Sequence, residues 1–294
     1  MEMIHPGGYF PAGRPLPGPD VVSAAEALAG GWDAEDDAAP EVRAERLHAG
    51  VTVAEAARVR MDFAQAGAAA RVAEMARRVG AAEVVPDAVN EMVCHGIMSG
   101  EGDLDDLARL CEEVASGEAT RVQRGRALAN LGVIAGLGGD PAEAVARFDA
   151  AARLFEAERD VHGRVLAGVN RANALAESAH LRAAEKAAAD TLRLARSAKH
   201  EHWTAMGQMA VGLVHLERGS RNQARAHLGE AVRGFARSGD ALRQVQCWHV
   251  LGEIAYDAED PIRAGAHYRD GLSVARQAGA GGAIEVLTLL FEHR

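Results

Sequence analysis

The sequence predicts an all-α fold, namely a right-handed superhelical solenoid of five to six antiparallel helix pairs. The main observation is that a small residue recurs at intervals of 40 residues, and that an alanine follows it after 12 more. The landmark pairs are Gly132 with Ala144, Ala172 with Ala184, Gly212 with Ala224, and Gly252 with Ala264. Turn signals, among them Asp140-Pro141 and Asp260-Pro261, lie between the two landmarks. A fixed period of this size is typical of stacked helix pairs.

The composition favours closely packed helices and limits the class of partner. Aromatic residues make up only 4% of the 294 residues, against 48% for all hydrophobic residues, so the core must consist mainly of Ala, Leu and Val. The formal net charge of -10 argues against direct nucleic-acid binding, which needs clustered Lys and Arg. We therefore expect protein or peptide partners and no direct contact with nucleic acid.

Cysteine usage and hydropathy predict a cytoplasmic protein. Cys94, Cys111 and Cys247 are odd in number and widely spaced, which predicts neither a disulfide framework nor a paired metal site. The N-terminus lacks the apolar segment of a secretion signal, and no apolar run approaches the roughly 18 residues that a membrane span needs. No membrane partner is expected.

The chain divides into two regions of different composition. Residues 1–40 are predicted to form a flexible arm, rich first in Pro and Gly and then in acidic residues, whereas residues 41–294 form the helical solenoid. Two irregular helix pairs come first, over residues 53–66 with 68–79 and over residues 86–98 with 104–116. A closing helix is expected over residues 283–293.

The regular repeats span about residues 120–280 and supply four more pairs. Their first helices are predicted over residues 120–137, 161–178, 202–217 and 242–256. Their second helices are predicted over residues 141–156, 181–197, 222–238 and 261–277. Pro141 and Pro261 each follow an aspartate, and a proline is tolerated best in the first turn of a helix, just after a capping residue.

The repeat resembles the tetratricopeptide repeat (TPR) family. The resemblance covers about residues 86–280 and rests on a small residue in the first helix and on apolar residues in both helices. The matching sets are Leu131, Gly132, Ala144, Phe148 and Ala151; Val211, Gly212, Ala224, Leu228 and Ala231; and Leu251, Gly252, Tyr256, Ala264 and Tyr268. In that family the small residue lets the two helices of a pair approach closely.

The sequence departs from the common TPR pattern in two ways. Its period is 40 residues instead of about 34, which resembles the long variety seen in bacterial signalling regulators. The second regular copy has Ala172 and Ala188 where the neighbouring copies have Gly and a larger residue. We expect the packing to differ in this copy, or the superhelix to bend there.

The TPR resemblance implies a concave groove, lined by the first helices, that receives a peptide or a partner helix. Carried over onto this sequence, the groove residues are Arg126, Ala129, Val133, Val169, Asn170, Asn173, Met206, Met209, Leu213, Gln246, His249 and Glu253. Such a wall suits apolar anchors of a ligand, and methionines adapt to different ligands. The alternative is that Met206 and Met209 are simply core residues.

One branch of the TPR family binds acidic C-terminal tails through a clamp of asparagines and basic residues. Asn130, Asn170 and Asn173 match part of that arrangement. Met206 and Ala210 stand where the basic members would be, so a carboxylate clamp is not expected.

No motif in the sequence predicts a catalytic, metal or cofactor site. His200 with His202, and Cys247 with His249, are each two residues apart and would point to different sides of a helix. Neither a phosphate-binding loop nor a nucleophile signature occurs. Residues 51–75 contain arginines but lack the turn of a helix-turn-helix. The sequence leaves open whether the groove contains a catalytic carboxylate, such as Glu253.

These observations favour a protein-interaction module or adaptor that binds a peptide or partner helix in its groove, and we hypothesise a role in bacterial regulatory signalling. One alternative is a small-molecule-binding or catalytic solenoid whose pocket is closed by the N-terminal arm, with Tyr9 and Phe10 folded inward. A second alternative is self-association through an uncapped terminal repeat, which would give a homo-oligomer.

Overall fold

The computed structural model of the protein describes residues 39–59, 68–100 and 102–278, together with positions 11, 23, 25, 26, 287 and 288. Within this part of the chain the regular secondary structure is helical, and the all-α class is confirmed. The helices are α1 (Pro40–Val59), α2 (Ala68–Val79), α3 (Val85–Ser99), α4 (Leu104–Ser116), α5 (Arg121–Leu137), α6 (Pro141–Ala157), α7 (Val161–Glu177), α8 (Leu181–Ser197), α9 (Glu201–Glu217), α10 (Arg221–Ser238), α11 (Ala241–Tyr256) and α12 (Pro261–Gln277). None of these described helices is long and apolar enough to cross a membrane.

The helices form pairs that are arranged in two rows. The inner row contains α3, α5, α7, α9 and α11, and from α3 to α9 each member contacts the next one in the row. The outer row contains α4, α6, α8, α10 and α12, which contact the neighbouring inner helices far more than each other. A solenoid is curved when successive helices are closer to each other in one row than in the other. The predicted solenoid is confirmed, and each helix from α3 to α12 begins and ends within one residue of its predicted bounds.

Each 40-residue repeat consists of two 20-residue units, each made of one helix and one turn. A residue with positive φ occurs every 20 residues, at Gly139, Arg159, Ala179, Lys199, Gly219, Gly239 and Glu259. The residue after it occupies the N-cap position of the next helix, and in six of the seven turns its N–H also donates to a carbonyl of the preceding helix. For example, the Asp160 N–H donates to the Phe155 carbonyl at 2.8 Å, while the Asp160 side chain accepts from the Gly163 N–H at 3.0 Å. Because four of the seven positions are not glycine, the sequence does not reveal this half-period.

A glycine of the inner helix faces a large side chain of the outer helix in three of the four regular pairs. A Cβ atom on Gly132 would lie 2.7 Å from the Phe148 ring, and one on Gly252 would lie 2.1 Å from the Tyr268 ring. The third such pair has a leucine in the place of the ring. Carbon atoms in a packed interior do not approach so closely, so glycine is required opposite these side chains. The close helix approach that the TPR resemblance implies is present.

The helix α1 differs from its prediction. α1 runs from Pro40 to Val59, whereas the sequence predicted a helix that begins only at residue 53. The helix continues through Gly50, which is buried, because Leu47 and Val51 on either side of it pack against the apolar cluster that contains Val72 of α2. Tertiary packing thus outweighs the low helix propensity of glycine.

Several predictions concern residues outside the described part of the chain. Most of the N-terminal arm is among them, although Pro11 and Ala25 are described, and both are buried. Ala25 packs against Ala49 and Val53 of α1. Residues 60–67, which include the end of a predicted helix, lie outside as well. In the predicted closing helix only positions 287 and 288 are described, and Leu287 is buried against the apolar cluster of α11 and α12.

Candidate functional site

The twelve residues predicted to line the groove lie on the inner row, three on each of α5, α7, α9 and α11. Nine of them are buried, with 0 to 8% of their surface exposed: Ala129, Val133, Val169, Asn170, Asn173, Met206, Met209, Leu213 and His249. The other three, Arg126, Gln246 and Glu253, are partly exposed. The inner row therefore has a largely apolar wall that is closed to solvent in the middle and more polar at its two ends.

The centre of this wall lies where α7 meets α9. These two helices make the most extensive contact between successive members of the inner row. Six of the 17 residues of α7 are Gly or Ala, and small side chains let two helices approach closely. Val169 of α7 and Met206 and Met209 of α9 belong to one apolar cluster. This is the copy for which the sequence predicted a change of packing.

Polar contacts occur at both ends of the wall. At the α5 end, Arg126 Nη1 lies 3.0 Å from Asp87 Oδ1 of α3, and these side chains are only 11% and 12% exposed. At the α11 end, the Tyr268 hydroxyl donates to Glu253 Oε1. The Gln246 Oε1 atom is buried and accepts no hydrogen bond from a described residue. An unsatisfied buried acceptor costs about 1–3 kcal/mol, so this atom is a natural place for a donor from a ligand.

A buried ionic cluster that the sequence analysis missed joins α9 to α11. Asp240, at the N-cap of α11, is fully buried, and its Oδ2 atom lies 2.9 Å from His202 Nε2 and also contacts Arg243. Burial alone would raise the pKa of Asp240, but the Arg243 charge and the His202 hydrogen bond outweigh burial and hold this pKa well below its usual value. In the sequence, Asp240 gives only a capping signal, because its burial depends on how the pairs stack.

The histidines and cysteines considered for metal binding have other contacts. His200 stacks on Trp203 with the ring centroids 4.0 Å apart, and His202 is bonded to Asp240. Cys247 is buried, and burial raises the pKa of its thiol, which keeps it protonated. In the described part of the chain, no group of three His, Cys, Asp or Glu side chains is placed to hold a metal ion.

Two cavities open away from the predicted groove residues. One, of about 250 Å³, lies between α2, α3 and α4 and is lined in part by Val85, Pro86 and Val114. The other, of about 270 Å³, lies between α9 and α10 and is lined mainly by polar side chains, among them Lys199 and Glu201. Neither cavity includes any of the twelve groove residues, so neither coincides with the pocket that the small-molecule alternative requires. Tyr9 and Phe10, which that alternative places in the pocket, lie outside the described residues.

Solved structures of similar fold confirm the TPR-like architecture. A Rap protein in complex with Competence and Sporulation Factor matches with a TM-score of 0.68 at 11% sequence identity, over 93% of this chain and 80% of that chain. The apo form of RapI matches with a TM-score of 0.51 at 17% identity, over 68% of this chain and 74% of that chain. At such identities the likeness shows the fold alone.

A third similar structure is a Signal Transduction ATPase with Numerous Domains (STAND) protein with a tetratricopeptide repeat sensor, from Pyrococcus horikoshii. It matches with a TM-score of 0.56 at 12% identity and covers 95% of this chain, but this chain spans only 44% of that protein. No family model and no curated protein matches the chain. The TPR-like fold therefore rests on the structure and on the repeat residues described above.

Proposed function

We propose that the protein is an interaction module that binds a peptide segment or a partner helix along its inner row, and that it acts in bacterial regulatory signalling. The observation that carries the proposal is the composition of the inner wall, in which amides and an imidazole interrupt apolar side chains. These polar residues are Asn130 on α5, Asn170 and Asn173 on α7, and Gln246 and His249 on α11. An extended peptide needs both features, namely apolar contacts for its side chains and polar groups for its main chain.

The polar residues are informative because most of them are buried. Asn130 and Asn170 have no exposed surface, although the wall around them consists largely of Ala, Val and Met. A polar group buried in such a wall must be hydrogen-bonded, and the Asn130 side chain meets this need through the Cys94 thiol of α3. Gln246, whose Oε1 atom accepts no hydrogen bond from a described residue, is the most direct candidate for contact with a ligand.

The similar structures support a regulatory role by analogy of fold. The Rap protein was solved as a complex with Competence and Sporulation Factor, and the STAND protein has a TPR sensor. A fold that holds a ligand in one protein and forms a sensor in another is suited to recognition, although fold alone does not define function. For this chain the wall composition adds the specific expectation of a peptide or helix ligand.

Ligand entry requires a change in the spacing of the inner helices. Val169, Met206 and Met209 are at most 1% exposed, and α7 and α9 contact each other closely. Stacked pairs in a solenoid can separate through small rotations, and a ligand that binds the wider form shifts the population towards it. We therefore expect ligand binding to alter hydrogen exchange of α7 and α9 more than that of α6.

The proposal is tested with Gln246→Leu, for which Gln244→Leu is the matched control. Both glutamines lie on α11 and are partly exposed, but only Gln246 belongs to the predicted groove residues. Charged substitutions at Met209 or Leu213 would be unsuitable, because these residues are buried in the main apolar cluster.

The measurement has two steps. Proteins and peptides that the wild type retains from a bacterial lysate are identified, and the affinity of the corresponding synthetic peptide is measured by calorimetry for each variant. We expect Gln246→Leu to weaken binding by about tenfold, which corresponds to about 1.4 kcal/mol, and Gln244→Leu to leave it unchanged. Equal affinities would argue against the groove, and a retained small molecule instead of a protein would favour the ligand-binding or catalytic alternative.

A further inference from the structure

The charge of the outer row changes between α4 and α12, whereas α2, the second helix of the first pair, carries three basic side chains and one acidic side chain. α4 carries four acidic side chains and one basic side chain, and α6 carries three acidic and two basic side chains. The later outer helices are basic. α8 has four basic and two acidic side chains, α10 has four basic and one acidic side chain, and α12 has three basic and one acidic side chain. Since the chain as a whole has a formal net charge of -10, the basic end of the outer row runs against the overall charge.

Several cations at the basic end have no ion pair with another described residue. They are Arg182 and Arg196 on α8, Lys199 just after that helix, Arg225 on α10 and Arg276 on α12. Together we call them the basic outer face. All are exposed except Arg225, which is partly exposed. Other cations of the same helices are neutralised, as in the pairs of Lys186 with Asp190, Arg233 with Glu230 and Arg237 with Glu201.

Two of these cations lie close to the next helix of the outer row. Burial lowers the pKa of His227 on α10, and the nearby charges of His215 and Arg196 lower it further. Burial likewise lowers the pKa of His267 on α12, and Arg225 is among the cations that add to this effect. Arg196 thus lies near α10 and Arg225 near α12, where the Asp270 carboxylate offsets part of the positive charge.

The opposite end of the outer row carries carboxylates that have no ion pair with a described residue. Asp105 and Glu112 of α4 are exposed, and we call them the acidic outer face. Glu113 and Glu118 are also exposed but line a cavity together with Arg77 of α2. Asp105 and Glu112 are seven residues apart, which places them on the same side of the helix. Of the α4 carboxylates, Asp106 pairs with the single arginine of that helix, Arg109.

The acidic and basic outer faces cannot neutralise each other within one molecule, because α6 lies between them in the outer row. The α6 acids are already paired, Glu143 and Asp149 with arginines at 2.6 and 2.7 Å, and Glu156 with Arg164 at 3.7 Å. We propose that the basic outer face binds the acidic outer face of a second copy of this chain. The contact joins two different surfaces, so it is head-to-tail and produces a chain or a closed ring of copies.

This association is independent of ligand binding in the inner groove, because it uses the opposite side of the helix pairs. Its attraction arises between exposed charges and must therefore weaken steeply with salt, as the Debye length falls from roughly 30 Å at about 0.01 M to roughly 3 Å at about 1 M ionic strength. Complementary charged surfaces of this kind mainly determine the partner and its orientation.

The test compares three double variants of the full chain by sedimentation velocity over a concentration series, at low and at high salt. Arg196→Gln with Arg225→Gln removes two charges of the basic face, and Asp105→Asn with Glu112→Gln removes two charges of the acidic face. The control, Arg153→Gln with Arg159→Gln, removes two exposed arginines that belong to neither face and have no ion pair with a described residue. Circular dichroism verifies that each variant is folded.

We expect the wild type and the control to self-associate at low salt and to dissociate at high salt. Each face variant alone should raise the dissociation constant by about tenfold. The decisive sample is the mixture of the two face variants, in which the intact basic face of one meets the intact acidic face of the other. The mixture should contain a 1:1 dimer and no larger species.

Other outcomes overturn the proposal. A wild type that remains monomeric at low salt at every concentration excludes this contact, and binding of an acidic protein to the basic face in that case would assign the surface to a different partner. Association that persists unchanged in both face variants, or that the mixture fails to restore, would show that other surfaces hold the copies together.

Discussion

Two neighbouring helix pairs, α5–α6 and α7–α8, form the same contact with different side chains. In α5–α6 the inner helix has Gly132 and the outer helix has Phe148, whereas the equivalent residues of α7–α8 are Ala172 and Ala188. All four residues are buried. The contact therefore accepts either one large and one minimal residue or two small residues, and the two alanines occupy less volume than the glycine and the phenylalanine.

The difference between the pairs bears on the inner row. The pair with two alanines contains α7, and α7 and α9 make the most extensive contact between successive members of the inner row. α7 also carries Asn170 and Asn173 in the predicted groove. The copy that looks degraded in the sequence thus contributes to the most extensive contact of the inner row. Five substitutions, grouped into three tests that are described in order of decreasing effect, test this comparison.

The largest effect is expected from removal of the large side chain. Phe148→Ala leaves a cavity in α5–α6 and should lower the free energy of unfolding by about 3–5 kcal/mol. Its counterpart in α7–α8, Ala188→Gly, removes one methyl group and should cost about 1 kcal/mol, mainly through helix propensity. Urea unfolding followed by circular dichroism measures both values. Similar losses in the two pairs would contradict the account of their packing.

The role of the glycine is tested by Gly132→Ala. The added Cβ would lie 2.7 Å from the Phe148 ring, so we expect a loss of about 1–3 kcal/mol in the wild type, although alanine is the better helix former. In the Phe148→Ala background the same change has room and should stabilise the protein by up to about 1 kcal/mol. A double-mutant cycle measures this coupling. Equal effects in both backgrounds would show that the two residues do not interact.

The turns of the two pairs provide the smallest expected effect. Gly139 closes the turn before α6 with a φ of 82°, and Ala179 occupies the equivalent place before α8 with a φ of 59°. An alanine in this left-handed conformation is strained, so Ala179→Gly should stabilise the protein by a few tenths to about 1 kcal/mol, and Gly139→Ala should destabilise it by about 1 kcal/mol. Thermal unfolding of both variants measures the shifts. The same sign for both changes would argue against the shared turn geometry.

The fold could be predicted from the sequence because its signals are local. Pro141 and Pro261, each after a capping aspartate, mark where α6 and α12 begin, and the 40-residue spacing of small residues reveals the pairing. The start of α1 was wrong because it depends on packing around Gly50, which no local pattern shows. The turns at Arg159 and Ala179 likewise have no sequence signal, since their conformation is imposed by the helices on either side.

The candidate site could be predicted only in part. The repeat register places all twelve groove residues on the inner row, but their exposure depends on the distance between successive inner helices. That distance arises from the curvature of the whole solenoid. For the same reason the sequence did not indicate the burial of Asp240 beside His202, which requires two pairs to stack in one particular orientation.

The central claim, that a protein or peptide ligand binds along the inner row, is tested most directly by site-specific photo-crosslinking. A benzophenone amino acid replaces Gln246 of α11 in one variant and Ala226, an exposed residue of the outer helix α10, in the other. The account predicts that the ligand identified from the lysate crosslinks efficiently from position 246 and only at background level from position 226. Crosslinking from position 226 but not from position 246 would place the ligand on the outer row and contradict the account.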